Sequence, residues 1–334
     1  MLSFPREGVV EPIPAILPAY LEIREDRSMK LNVGVPNSMH VAAMTQAWEY
    51  SLTGDDIGQA MATADRLGFN KCMLGEHFII PQEHIGLSGD HYVHGTVALS
   101  FLAGRTKTMK LSSSVSILPL QSPIVQAKAW STLDWLSGGR ATALFGVGWL
   151  KEEFDMLNVD FHQRGRMADE YIAAIIELWT SDKPEFEGEF VRFNNVGFAP
   201  KPVQQPRLPI WLGGDAEPVL RRVAKFGDGW SPFRTPPEKF PECLDFIRSQ
   251  PEYDGRPIDL FFALEMLNVG AHHEIMDDPR APGTRDAQKV IDQVGWLKEL
   301  GVNETIVPLP PGISGLTEYL DRLQWVAEEI MPKI

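Results

Sequence analysis

The amino-acid sequence predicts a single (β/α)8 TIM barrel, and three observations lead to that α/β fold class. Short apolar runs alternate with helix-length amphipathic stretches from residue 30 to the end of the chain, as in parallel strands joined by helices. Eight such alternations follow one another without an internal domain boundary. The length of 334 residues fits as well, because α/β barrels commonly hold ~250 residues or more in one domain.

Each predicted strand is a short run rich in apolar or small residues. In chain order the strands are predicted at 30–35, 71–76, 110–119, 140–148, 209–214, 227–233, 259–267 and 304–309. If they lie parallel around one interior, their carboxyl ends meet on one face of the barrel. Enzymes of this architecture place their active sites on that face.

Local capping signals predict where the helices begin and end. Thr53, with Asp56 three residues later, predicts a capping box at a helix start. The pair Ser122-Pro123 predicts another helix start, because serine is favoured at the N-cap and proline at the first helical position. Gly138 is expected to end that second helix.

A longer helix and an insertion are predicted in the second half of the chain. The helix runs from about residue 165 to 180, and Arg166 and Glu170 are expected to pair on its outer face because they are four residues apart. Residues 181–207 interrupt the alternation with several prolines, and short strands are predicted in FEGEFVRFNN (186–195). We interpret 181–207 as an insertion in a barrel that spans residues 30–334.

Composition and charge exclude several classes of protein. The chain has 31 basic and 45 acidic residues, a net charge of −14, which disfavours nucleic acids and anionic membranes as partners. No run of ~18 apolar residues predicts a membrane span. Residues 1–29 lack the basic start and apolar stretch of a signal peptide, so we expect an irregular extension on a cytoplasmic protein. Cys72 and Cys243 are expected to be small buried side chains in a reducing compartment.

The first candidate site residues follow the second predicted strand. Glu76 and His77 lie in the stretch LGEHF, where a histidine would face the mouth of the barrel and could donate a hydrogen bond or transfer a proton. The residue types alone leave a second interpretation open, in which His77 anchors the following loop.

Small residues mark the third and fourth strands. Ser113, Ser114 and Val115 lie in a strand where bulky side chains would be expected, so this segment either lies against a flat ligand or forms a bulge with internally bonded hydroxyls. The fourth strand ends in Gly146-Val147-Gly148, whose amides could bind a phosphate, although a lone G-x-G motif is a weak signal.

A second possible anion site is Gly213-Gly214-Asp215, predicted at the start of a helix over 215–226. Backbone N–H groups and the helix dipole favour an anion there. The alternative is an ordinary turn in which Asp215 caps the helix.

A metal site is not predicted, although four histidines lie close together in the sequence. His77, His84, His91 and His94 fall within 18 residues, but the segment contains no cysteine and no regular ligand spacing. The motifs G-x-S-x-G, G-x-G-x-x-G and the Walker loop do not occur, which disfavours hydrolases of that type, Rossmann enzymes and kinases.

Four stretches in this order resemble the luciferase-like monooxygenase superfamily, and the resemblance covers about residues 30–330. They are LGEHF (74–78), ILPLQSPIVQAKAWSTLDWLSGGR (117–140), GVGWLKEEFDMLNVDFHQRGRMADEYI (146–172), and PIWLGG (209–214) followed by GDGW (227–230). The resemblance implies a (β/α)8 barrel with insertions that binds FMN or the deazaflavin coenzyme F-420. It also implies a small organic substrate and a homodimer.

The resemblance assigns roles to particular residues. It implies that His77 lies beside the reactive edge of the ring, with Glu76 next to it. Ser114 and Val115 fall where relatives have a non-prolyl cis peptide behind the ring. The remaining cofactor contacts implied are Gly146, Gly148, Trp149 and Glu152 beside the ring and ribityl chain, and Gly213 and Gly214 at the phosphate.

Two departures from the family pattern bear on the cofactor. Asp215 stands where relatives have a small hydroxyl or amide residue, and Val147 stands where luciferase-type members have a phosphate-binding arginine. Together with the residue pattern of the fourth-strand segment, these departures favour F-420 over FMN as the cofactor, and hydride transfer as the reaction. The alternatives are an FMNH2-dependent monooxygenase supplied by a separate reductase, a non-catalytic flavin-binding protein, and a metal-dependent hydrolase on the same barrel.

Overall fold

The barrel is confirmed in the computed structural model, which describes residues 28–269 and 285–334. Eight strands form one parallel sheet in the order β10-β9-β8-β5-β3-β2-β1-β11, and β4 pairs with β5. A parallel bridge between Phe261 and Glu304 joins the two ends of that order. The strands are β1 Lys30–Gly34, β2 Lys71–Leu74, β3 Lys110–Ser113, β4 Ser116–Ile117, β5 Ala141–Gly146, β6 Phe186–Glu187, β7 Arg192–Phe193, β8 Ile210–Gly213, β9 Gly229–Ser231, β10 Asp259–Leu260 and β11 Glu304–Ile306.

The helices surround the sheet and follow the strands in the predicted alternation. They are α1 Gly54–Arg66, α2 Ile85–Ser88, α3 Gly95–Arg105, α4 Pro123–Ser137, α5 Lys151–Met156, α6 Arg164–Thr180, α7 Glu217–Phe226, α8 Phe240–Arg248, α9 Ala287–Glu299 and α10 Leu316–Glu329. None of those lying within the described ranges has the length and apolar character to cross a membrane.

Two of the local capping predictions are confirmed. Thr53 accepts a hydrogen bond from the Asp56 N–H, and the Asp56 carboxylate accepts one from the Thr53 N–H, which completes the capping box of α1. Gly138 ends α4 in the left-handed conformation, with φ of 69°. At the start of α4, Pro123 occupies the first turn, but the Ser122 side chain makes no capping hydrogen bond.

The predicted pair of Arg166 and Glu170 is wrong. Arg166 instead forms an ion pair with Glu189, and Glu170 accepts hydrogen bonds from the N–H groups of Glu189, Phe190 and Val191. The outer face of α6 therefore binds the 181–207 segment, where β6 and β7 form an antiparallel pair.

Two other predictions need correction or lie outside the described residues. The seventh strand was predicted over 259–267, but β10 ends at Leu260 and residues 264–268 form a 3-10 helix. The predicted N-terminal extension, 1–29, lies outside the described residues except for its last two. Of the cysteines, Cys72 is buried, and burial raises the pKa of its thiol to about 12, whereas Cys243 is half-buried.

The barrel interior changes from charged to apolar along its axis. Lys71 Nζ lies 2.8 Å from Glu304 Oε2 with both side chains almost fully enclosed, and Asn32 donates to the same oxygen at 2.8 Å. A buried charge needs such a partner because it has lost its hydration. An apolar cluster occupies the rest of the interior: Met73, Leu144, Trp211, Phe261, Ala263 and Ile306. This cluster supports the candidate site.

Candidate active site

The third strand contains the predicted non-prolyl cis peptide. It lies between Ser114 and Val115, where pairing with neighbouring strands stops at the end of β3 and resumes in β4. Ser113 Oγ donates to the Leu144 carbonyl at 2.8 Å and has no exposed surface. The bulge with internally bonded hydroxyls is therefore present, and Ser113 shapes it without being open to a ligand.

The Val115 side chain forms an apolar floor between two glycines. It packs against the interior cluster. A Cβ added to Gly146 would lie 2.6 Å from Val115 Cγ2, and one added to Gly213 would lie 2.8 Å from Cγ1. Because van der Waals contact needs at least about 3.5 Å between carbons, both strands need glycine beside this valine. At the end of β1, by contrast, a Cβ on Gly34 would meet nothing within 4 Å.

The turn after β5 is tightly packed around Gly148. Its φ is +79°, and a Cβ there would lie 2.7 Å from the Phe154 ring, so only glycine fits. Arg164 Nε donates to the Gly148 carbonyl at 3.3 Å and so holds the turn. Trp149 is 40% exposed and Glu152 is exposed, which leaves both side chains open to a ligand.

His77 is fixed by a carboxylate that was not predicted. Its Nδ1 lies 2.8 Å from Glu153 Oε2, and its ring lies edge-on to Tyr92 and Trp149 with centroid distances of 4.9 Å and 6.0 Å. Among the described residues, His77 Nε2 has no hydrogen-bond partner. The ring therefore has one nitrogen bound within the protein and the other available to a ligand.

Through hydrogen bonds of its side chain, Glu153 connects the segment after β2 with the start of α5. It is fully buried and also accepts a hydrogen bond from the Phe78 N–H at 2.6 Å. The family resemblance implies a role for its exposed neighbour, Glu152, instead. The sequence did contain a signal for Glu153, because Leu150, Glu153 and Phe154 lie at helical spacing and so share one helix face. In the structure all three residues are buried.

Glu76, predicted to act beside His77, is buried in a different set of contacts. Its Oε2 accepts a hydrogen bond from the Gly95 N–H at 2.8 Å, at the start of α3, and its Oε1 accepts one from Ser116 Oγ at 3.2 Å. Burial raises the pKa of the Glu76 carboxyl, although the hydrogen bond from Gly95 opposes this. These contacts describe a helix cap, and a catalytic role for Glu76 stays a prediction.

The turn predicted to bind phosphate is organised differently from the expectation. The Gly214 N–H donates to the Ser231 carbonyl at 3.0 Å, so this N–H is not available to a phosphate. α7 begins at Glu217 with Ala216 as its N-cap, two residues later than predicted, so Asp215 is not the helix cap. The Asp215 carboxylate instead accepts hydrogen bonds from three consecutive N–H groups, at residues 233–235.

Two residues beside this turn supply no free positive charge. Arg222, which lines a narrow gap beside Gly146 and Gly213, donates to Asp169 at 2.6 Å and to the Gly165 carbonyl at 3.0 Å. The Val147 side chain packs against the main core. A phosphate bound here would therefore meet little uncompensated positive charge from these residues.

Three side chains at the mouth could approach a metal ion. Ligand atoms of Glu83, His84 and Glu152 lie within 4.8 Å of one another, but both glutamates are exposed. His91, another of the four clustered histidines, donates from Nε2 to the Asn37 carbonyl, 3.1 Å away. Exposed acidic groups often lie this close without a metal, and the sequence-based prediction of no metal site remains a prediction.

Fold and site together place the candidate residues at the carboxyl ends of the strands of an α/β barrel. The family model for luciferase-like monooxygenases matches residues 31–299. The chain therefore belongs to the luciferase-like monooxygenase family, and it is an enzyme of this oxidoreductase group.

Relatives and solved structures within this family differ in cofactor. The chain is 32% identical over 288 residues to an uncharacterized protein of Mycobacterium tuberculosis, covering 80% of this chain and 94% of that one. It is 29% identical over 201 residues to an FMNH2-dependent dimethylsulfone monooxygenase of Pseudomonas putida, covering 59% and 53%. The structure of a coenzyme F420-dependent tetrahydromethanopterin reductase of Methanopyrus kandleri matches with a TM-score of 0.67 at 16% identity, covering 91% of this chain and 99% of that one.

Proposed function

We propose that this protein transfers a hydride between coenzyme F-420 and a small organic substrate at the mouth of the barrel. The observation that carries the proposal is the fixed histidine: Glu153 binds His77 Nδ1 at 2.8 Å, while Nε2 remains available at the end of the strand next to the Val115 bulge. A general acid or base needs this combination of a fixed orientation and a free nitrogen.

The residues at the mouth fit a flat ring system. Val115 supplies an apolar floor whose width depends on Gly146 and Gly213. Trp149, exposed on the other side of His77, offers an aromatic surface. A deazaflavin bound here supplies the ring carbon that takes or gives the hydride.

His77 handles the proton that accompanies the hydride. Glu153 accepts the Nδ1–H bond, which leaves Nε2 as the acceptor in the neutral ring. When the substrate is oxidised, its C–H bond breaks with the electron pair leaving as hydride, and its acidic proton passes to His77 Nε2. The buried Glu153 carboxylate stabilises the imidazolium that results, and the reverse reaction returns the proton.

Local charge favours F-420 over FMN. FMN ends in a phosphomonoester that is close to dianionic at neutral pH, whereas the phosphate of F-420 is a diester with a single charge. Position 147 is valine, the Asp215 carboxylate occupies the amides at 233–235, and Arg222 is paired with Asp169. Because Val147, Asp215 and Arg222 supply no free positive charge, the turn suits the less charged phosphate.

An FMNH2-dependent monooxygenase is the second candidate. The 29% identity to the dimethylsulfone monooxygenase favours it. In that case reduced flavin would come from a separate reductase, because the sequence contains no G-x-G-x-x-G fingerprint for NAD. His77 would then act as a hydrogen-bond donor in a site that excludes water.

An assay without oxygen separates the two candidates. The protein is mixed with F-420 and a panel of small alcohols under nitrogen, or with reduced F-420 and the corresponding carbonyl compounds. We expect substrate-dependent change of the deazaflavin absorbance in the absence of oxygen, and its loss in His77→Ala. Turnover that requires both reduced FMN and oxygen would support the second candidate instead.

A further inference from the structure

A separate cavity lies between the ends of β1 and β11 and the last helix, α10. It has a volume of about 100 Å3, and since about 10–15 Å3 of such space accommodates one water, a ligand of several non-hydrogen atoms fits. Most of its wall is aliphatic, formed by Val33, Val35, Met44, Ile306, Leu323 and Val326. His77 and Val115 do not line it.

Two side-chain oxygen groups in this cavity make no hydrogen bond to a described residue. Tyr319 is 2% exposed, and its hydroxyl has no hydrogen-bond partner. Glu265, which is half-buried, also lines the cavity, and its carboxyl group accepts no hydrogen bond from any described residue. A buried polar group without a partner costs free energy, so a molecule that supplies hydrogen-bond donors would be stabilised here.

The charges around Glu265 favour a cation. Glu49, in the 3-10 turn Glu49–Ser51, lines the same cavity and is already bound by the N–H groups of Asn37 and Gln46. Burial, together with the charge of Glu49, raises the pKa of Glu265 to about 7. Arg322 of α10 is the cationic side chain on the described part of the wall. Its buried Nε makes no hydrogen bond to the described residues, so this part of the wall presents one cationic group beside two carboxyl groups, and the chain as a whole carries a charge of −14.

We propose that this cavity binds a small aliphatic ammonium ion. The Glu265 carboxylate accepts hydrogen bonds from the –NH3+ group, and the Tyr319 oxygen accepts another. The carbon chain lies against the aliphatic wall. An ammonium group offers three donors and a positive charge, which satisfies both unpartnered oxygens and balances the two glutamates.

Calorimetric titration of the full chain without cofactor tests the site independently of catalysis. The probes are n-butylammonium chloride, 1-butanol and sodium butyrate at pH 8. We expect n-butylammonium to bind at least about tenfold more tightly than 1-butanol, because the hydrogen bond to a carboxylate is charge-assisted, and butyrate not to bind. Since the carboxyl group must be ionised, affinity for the ammonium should fall about tenfold per pH unit below about pH 7.

Variants assign the binding to this cavity. Glu265→Gln should weaken n-butylammonium binding about tenfold or more and leave 1-butanol unchanged, Tyr319→Phe should weaken it a few-fold, and the surface control Glu299→Gln should have no effect. Thermal unfolding of Glu265→Gln at pH 8 should not occur below the wild-type temperature, which excludes misfolding. No binding of the ammonium at millimolar concentration, equal binding of 1-butanol, or full binding by Glu265→Gln would each overturn the proposal without affecting the proposed function.

Discussion

His77 Nδ1 lies 2.8 Å from Glu153 Oε2, and no part of that glutamate is exposed to solvent. The two residues are 76 positions apart in the chain, so the barrel brings them together. A buried carboxylate of this kind holds the imidazole in one orientation and one tautomer. The predictions below begin from this pair.

Glu153→Gln should reduce kcat by about 10- to 100-fold. The amide can still accept the Phe78 N–H through its oxygen, but its NH2 group would donate to His77 Nδ1. The ring would then carry its proton on Nε2 and lose the acceptor that faces the ligand. Steady-state kinetics with the accepted substrate measures the effect, and the exposed Glu299→Gln is the matched control. Unchanged kcat would show that Glu153 only supports the loop.

His77→Ala should lower kcat by about 100- to 10,000-fold, the usual contribution of a positioned acid or base. Cofactor affinity should stay within a few-fold, because Val115 and its flanking glycines form the floor without help from His77. Turnover and cofactor titration measured on the same preparation separate the two effects. Retention of most activity would mean that His77 is a loop anchor, the alternative that its residue type left open.

Gly146→Ala should destabilise the protein by about 1–3 kcal/mol, as overpacking of a core does. The new Cβ would lie 2.6 Å from Val115 Cγ2, so the floor must shift, and cofactor affinity should fall. The control is Gly104→Ala in α3, where a Cβ meets nothing within 4 Å. The double variant Gly146→Ala with Val115→Ala should be less destabilised than the sum of the single variants. Additive effects would contradict the contact.

Glu265→Gln should become progressively more stable than the wild type as the pH rises. Because the pKa of Glu265 is raised from 4.5 to about 7 in the folded protein, its protonated form stabilises the fold below pH 4.5. That contribution is lost as the pH rises to about 7. The stability difference between variant and wild type should therefore grow by about 3 kcal/mol over this interval and stay constant above it. Parallel unfolding temperatures from pH 4 to pH 8 would contradict the raised pKa.

Features that depend on neighbouring residues could be predicted from the sequence. The Thr53–Asp56 capping box and the Gly138 helix end need only a few consecutive residues, and the strand–helix alternation needs only local periodicity. The cis peptide at Ser114 was predicted from a family resemblance, and physical reasoning on the residues alone left a bulge and a ligand contact as equal alternatives.

Features that depend on distant contacts were missed. Capping of α7 by Asp215 was one of two alternatives left open, yet its carboxylate binds amides 18 to 20 residues away. Arg166 and Glu170 have the spacing of a helical ion pair, but the 181–207 segment offers Glu170 three backbone donors. Glu153 acquires its role only through His77. For Arg166 and Glu170, the tertiary contacts outweigh a local preference worth about 0.5 kcal/mol or less.

Paired binding titrations with F-420 and FMN test the central claim most directly. Each cofactor is titrated into the wild-type protein under nitrogen, and binding is measured by its fluorescence. The account predicts that F-420 binds more tightly than FMN and that Gly146→Ala weakens the binding. Comparable or tighter binding of reduced FMN would reverse the assigned cofactor, and no binding of either would contradict a flavin-type site above Val115.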